Sequence, residues 1–145
     1  MTETYFYRED WNCVLLKSIG SRSIEDYRKM VSALKEDSRV RPNYLRLSDF
    51  RSVDELPSAE ATRTIAAIIG ELEAVKPVSR VAIVAREDIH YGMIRIYQAY
   101  QVVPEEKLRV FRTLPEAYQW LDIPEDRLDP FAPEIWVPDW QSDAP

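Results

Sequence analysis

At 145 residues, with 46% hydrophobic and 30% charged residues, the chain has the size and composition of one ordered globular domain and not of a disordered polyelectrolyte. Its formal charge of −6 repels a phosphate backbone, and its basic residues are scattered, as at Arg39/Arg41 and Arg109/Arg112, so nucleic acid is not an expected partner. Cys13 is the single cysteine, which excludes an intramolecular disulfide; no run approaches the roughly 18 apolar residues of a membrane span, and no signal-peptide pattern opens the chain, so cytoplasmic residence is expected.

In chain order, Thr4–Tyr7 and Asn12–Ile19 read as an antiparallel hairpin joined through Arg8-Glu9-Asp10. The second strand is apolar at consecutive positions, Cys13 to Leu16, as suits a strand covered on both faces. After Gly20-Ser21, Ser23 is placed to cap a helix with Ile24, Tyr27, Val31 and Leu34 at helical spacing, ending near Asp37. Asn43–Asp49 then reads as a strand ending in a carboxylate, with Phe50-Arg51-Ser52 as the loop beyond it. Pro57-Ser58 opens a helix over Ser58–Ala74 that directs Ile65, Ile68, Ile69 and Leu72 to the core.

The continuous apolar run Arg80–Ala85 is the expected central parallel strand. A helix over Asp88–Tyr100 follows, apolar around much of its circumference. Leu108–Phe111 supplies the last strand, and Thr113-Leu-Pro-Glu116 is a capping-box pattern opening a helix through Leu121. Strands alternating with helices close into right-handed βαβ units. The expected fold is therefore α/β: a mixed sheet of about five strands with an N-terminal hairpin, parallel βα units and four helices. Residues 1–121 form this domain, and 122–145 are a Pro-rich, acidic tail whose Phe131, Trp136 and Trp140 must dock on the domain or on a partner subunit.

The phrases Leu45-Arg-Leu-Ser-Asp49-Phe-Arg51, Arg80-Val-Ala-Ile-Val-Ala85, Tyr91-Gly-Met-Ile-Arg95-Ile-Tyr97-Gln98-Ala-Tyr100 and Arg109-Val-Phe111-Arg-Thr-Leu-Pro-Glu116-Ala117-Tyr-Gln-Trp120-Leu121, in this order of elements, resemble the SpoIIAA-like group, bacterial proteins often labelled STAS/SEC14 domain-containing. The resemblance spans about residues 5 to 121. It implies a small mixed sheet wound with helices, as in anti-sigma-factor antagonists and the cytoplasmic domains of sulfate transporters. In the antagonists a phosphorylatable serine directly follows an aspartate. Here that place reads Asp49-Phe50-Arg51-Ser52, without the adjacent serine or the glycine. Ser52 is then either a displaced phosphosite near Arg51 and a helix N-terminus or a loop residue bonding to nearby backbone.

No catalytic constellation is written in the chain. His90 is the sole histidine and lacks a nucleophile and orienting group, one His with one Cys cannot supply a zinc site, and the glycines Gly20, Gly70 and Gly92 spell no phosphate loop. Cys13 reads as core. No cofactor or metal is expected. Open α/β sheets bind ligands beyond the carboxyl ends of their strands. Asp49, Arg51, Ser52, Arg86, Asp88, Arg112 and Thr113 are thus candidates for holding a ligand or anion there, or for pairing with one another. The second flank of the Ile89–Tyr100 helix, with Tyr91, Ile94, Arg95 and Gln98, and the tail residues Trp136 and Trp140, are candidates for a homodimer interface. The expected role is a non-catalytic binding or regulatory module acting through protein contacts; the alternative is small-molecule or lipid binding in the strand-end crevice.

Overall fold

The computed structural model describes residues 3–19, 23–53, 55–86, 103–125 and 129–132, together with Ile89, Gly92, Arg95, Ile96, Ala99 and Tyr100. Five strands stand in sequence order in one sheet: β1 (Glu3–Arg8), β2 (Cys13–Ile19), β3 (Tyr44–Ser52), β4 (Val78–Val84) and β5 (Leu108–Phe111). β1 pairs antiparallel with β2, and the other three pairings are parallel. The hairpin turns through a single 3-10 turn, Glu9–Trp11, and Asn12 in the left-handed region, whose side-chain oxygen accepts a hydrogen bond from the Tyr7 hydroxyl at 2.9 Å.

Helix α1 (Ile24–Glu36) starts where Ser23 accepts a hydrogen bond from the Asp26 amide, and α2 (Ala59–Val75) where Ser58 accepts from Ala61. Helix α3 (Leu114–Leu121) starts on the reciprocal box in which Thr113 accepts from the Glu116 amide and donates to its carboxylate at 2.8 Å. Lys76, just past α2, donates to the carbonyls of Leu34 and Asp37, both at 2.7 Å, and so satisfies the open C-terminal end of α1.

Each parallel strand is laid beside the one before it and always in the same direction. Right-handed crossovers then place every connecting helix on one face. The core there gathers Tyr27, Met30 and Leu34 of α1 and Ile65, Ile68 and Leu72 of α2 over Val14, Leu16, Tyr44, Phe50, Val81 and Ile83. Ile89 and Val103 belong to the same cluster, which puts the crossover between β4 and β5 on that face too. Of the expected helix Asp88–Tyr100, the six described residues are all helical, and a Cβ on Gly92 would strike the Leu56 side chain, so the backbone lies close to the segment leading into α2. The rest of that helix, with Asp88, His90, Tyr91, Ile94 and Gln98, lies outside the described residues, as do Trp136 and Trp140.

The opposite face must be covered by chain that is not a crossover. Cys13, Leu15, Leu47, Ala82 and Val84 are buried there by Ala117, Tyr118 and Leu121 of α3, by Trp11 from the hairpin turn, and by Phe131. Trp11 meets Tyr118 edge-on at 5.7 Å and carries the Arg8 guanidinium 3.5 Å from its ring centroid.

Two sequence expectations are corrected. The middle of the sheet is β3, not the apolar Arg80–Ala85 run, which lies in β4 one place away. β3 also does not end at Asp49. It continues through Phe50-Arg51-Ser52, because Phe50 is buried in the helix-side core and Ser52 pairs with Ile19 across an irregularity after Lys17. Among the described residues there are three α-helices of more than one turn in contiguous chain, and no helix is long and apolar enough to cross a membrane.

Candidate functional site

Strand alternation sends Lys17, Asp49 and Arg51 to the face covered by Phe131, the same side as Cys13, Leu15 and Leu47. Lys17 and Asp49 are register partners on β2 and β3, at the carboxyl ends where open α/β sheets keep their ligand sites. Asp49 is 3% exposed, and a carboxylate buried so deeply requires charge and hydrogen-bond partners. Arg51, two residues on along the same face, supplies them in a fork: Nε donates to Oδ1 at 2.8 Å and a terminal nitrogen to Oδ2 at 3.1 Å, while the Arg51 amide also donates to Oδ1 at 3.0 Å.

The same terminal nitrogen of Arg51 donates to Asp129 Oδ2 at 2.8 Å. Asp129 folds back on its own segment, its Oδ1 accepting from the Phe131 amide at 2.9 Å and its carbonyl from Ala132 at 3.1 Å. Lys17, also buried, donates from Nζ to the Phe131 carbonyl at 2.5 Å. Residues 129–132 are thus held over the ends of β2 and β3 by two cations from the sheet, with the Phe131 ring 1% exposed beneath them. Flanked by two carboxylates, the Arg51 guanidinium has its pKa raised, chiefly by its hydrogen bonds to Asp49 and against the cost of desolvation.

Among the described residues, Ser52 and Thr113 do not join this cluster. Ser52 lies in β3, where alternation turns it to the face opposite Arg51. The Arg86 guanidinium reaches the Val53 carbonyl at 3.1 Å, tying the end of β4 to the end of β3. Thr113 is engaged in the α3 capping box, and Arg112 and Arg95 are exposed. Lys17 and Asp129 were missed in the sequence. Lys17 did carry a signal, since it shares the inward parity of Cys13 and Leu15 in an apolar strand; Asp129, in a Pro-rich acidic stretch, carried none.

Cys13 is fully buried, and desolvation pushes its thiol up to about 12 from an ordinary 9.0. Below pH 9.0 both the folded and the unfolded thiol are protonated and contribute nothing to stability. Above it the unfolded thiol ionises alone, so the unfolding free energy is expected to fall with rising pH in denaturant titrations of wild type and to fall less steeply in Cys13→Ala. A disulfide reagent is expected to label Cys13 only as fast as the chain unfolds.

No protein-family model matches the chain, and no curated protein sequence matches it. Among solved structures, the crystal structure of an uncharacterized protein of the DUF3478 family with a SpoIIAA-like fold, from Shewanella loihica PV-4, superimposes with a TM-score of 0.61 at 21% identity, covering 83% of this chain and 94% of that one. The chain has a SpoIIAA-like fold, as the resemblance implied.

Proposed function

We propose that this protein is a non-catalytic cytoplasmic binding or regulatory module, acting as a homodimer through contacts with other proteins. The observation that supports this reading is the state of the strand ends. Where a ligand-binding α/β sheet presents open polar groups, this chain brings its own Asp129 to Arg51 and its own Phe131 carbonyl to Lys17, and it fills the apolar space with Phe131. A reactant would have to displace a segment of the core. Surface contact needs no such displacement.

The reading is tested on the full chain in the cells that make it. Formaldehyde cross-linking followed by purification under denaturing conditions is expected to give discrete protein adducts. A chain that yields no adduct, and carries a small molecule or lipid through native mass spectrometry, would move the assignment to ligand binding in the strand-end crevice. For the dimer, light scattering on the purified chain is expected to give twice its 17.0 kDa, and Arg95→Glu, on the exposed side of the helical segment before β5, is expected to shift the mass towards the single chain. A wild-type mass of 17.0 kDa at all concentrations would remove the dimer.

A further inference from the structure

On the outer half of the sheet, β4 and β5 carry Arg80 and Arg109 on the face that receives α3, Arg109 standing beside Ala82 in register. Both guanidinium carbons lie within cation–π reach of the half-buried Trp120 ring, at 5.6 and 5.7 Å from its centroid, and Phe111 tilts against that ring at 5.9 Å. The two arginines are exposed. Arg80 also donates to the Trp120 carbonyl at 2.6 Å, closing the last turn of α3, whereas the ring is the one partner of Arg109 among the described residues. Neither forms an ion pair with a described carboxylate.

What sets these two apart is that they converge on one aromatic ring. Arg8, Arg39, Arg46 and Arg51 each pair with an acid. Glu116, one turn before Trp120, has its carboxylate on Thr113 instead. Two like charges drawn onto one aromatic ring, without a counter-charge, repel each other; the cost is recovered when carboxylates arrive. Arginine and tryptophan are also the side chains most enriched where binding energy concentrates.

We propose that Arg80, Arg109 and Trp120 form a docking patch for an acidic segment of a partner protein, whose carboxylates pair with the two guanidiniums and whose apolar groups lie on the Trp120 ring. Two cations match one or two carboxylates. They are too few for a nucleic acid, whose binding needs several phosphate contacts. The inference rests on the protein-contact reading above and names the chemistry of the partner.

The test is an NMR titration of the full chain with a peptide of alternating Glu and Leu, observed at the tryptophan indole and arginine side-chain signals. Saturable shifts confined to Trp120, Arg80 and Arg109 are expected, and Arg109→Glu is expected to weaken binding at least about tenfold. Among the described residues the Arg109 side chain makes no hydrogen bond, so this variant stays folded even if Arg80→Gln, which loses a helix-end contact, does not. Absence of shifts, equal affinity in Arg109→Glu, or tighter binding of oligouridylate would overturn the proposal. So would a nuclear Overhauser contact between the Trp120 indole and residues 133–145, which would give the patch to the chain's own tail. Cellular cross-links that persist in Arg109→Glu would sink the patch and leave the protein-contact reading standing.

Discussion

Alanine at Phe131 is expected to lower the free energy of unfolding by about 3–5 kcal/mol, the range for emptying a buried aromatic site. Phe131 stands beyond the last helix, in a stretch that by composition reads as a tail. In the structure it is one of the largest fully buried side chains, packed with Leu15 and Leu47 on the face that no crossover helix can reach. Total stability for a domain of this size is typically about 5–15 kcal/mol, so the loss would be plain in the urea midpoint. An effect below about 1 kcal/mol, the usual surface range, would mean that the segment lies on the domain without sealing it. Phe131→Leu separates volume from chemistry and is expected to recover roughly half of the loss, since most of the cavity is refilled.

Arg51→Ala is expected to cost about 2–3 kcal/mol. Removing one partner of a buried ion pair typically costs about 3–5 kcal/mol; the Arg51 side chain is 34% exposed, so water offsets part of it. What dominates is the Asp49 carboxylate left in the core with the backbone amide of residue 51 as its hydrogen-bond donor. The control is Asp129→Asn, which breaks a pair half-exposed on both sides and is expected to cost no more than about 1 kcal/mol. Replacing Asp49 and Arg51 together by apolar residues is expected to be milder than Arg51→Ala alone, because no unpaired charge remains buried. Denaturant unfolding of the variants reads all of this. A ranking with Asp129→Asn as the most damaging would place the energetic centre in the tail contact instead of in the buried fork.

Features set by neighbours in the chain were legible in the sequence. The caps at Ser23, Ser58 and Thr113 and the hairpin before Cys13 fall where side-chain chemistry alone puts them. The order of the sheet was less legible, because burial in β3 does not depend on apolar side chains. Arg46 is buried against Glu73 of α2 and the Tyr44 hydroxyl, and Asp49 against Arg51, so the most central strand is also the most polar. Read one residue at a time, Phe50-Arg51-Ser52 resembles a loop. Its extension as strand comes from pairing with β2 and from Phe50 facing the helices, neither of which is local.

Asp49 and Arg51 stood among the strand-end candidates, although Arg51 and Ser52 read as loop and lie in β3. The partner that closes the site did not, since 78 residues separate Arg51 from Asp129. Such a contact follows from the topology: crossovers on one face leave the other face to whatever chain remains after β5. Trp120 shows the same limit. Its spacing with Ala117 and Leu121 suggests core, and the ring does pack against that cluster, but it stays half-buried with two arginines within cation–π reach.

Native-state hydrogen exchange at the Phe131 and Ala132 amides tests most directly whether the chain closes its own strand-end crevice. Both amides donate to Asp129, at 2.9 and 3.1 Å. If residues 129–132 belong to the folded core, these amides exchange only with global unfolding, and their opening free energy follows the denaturant dependence of the slowest amides in β3. Fast exchange at Phe131 and Ala132 while β3 stays protected would show a crevice that opens in the native protein, and would contradict the account.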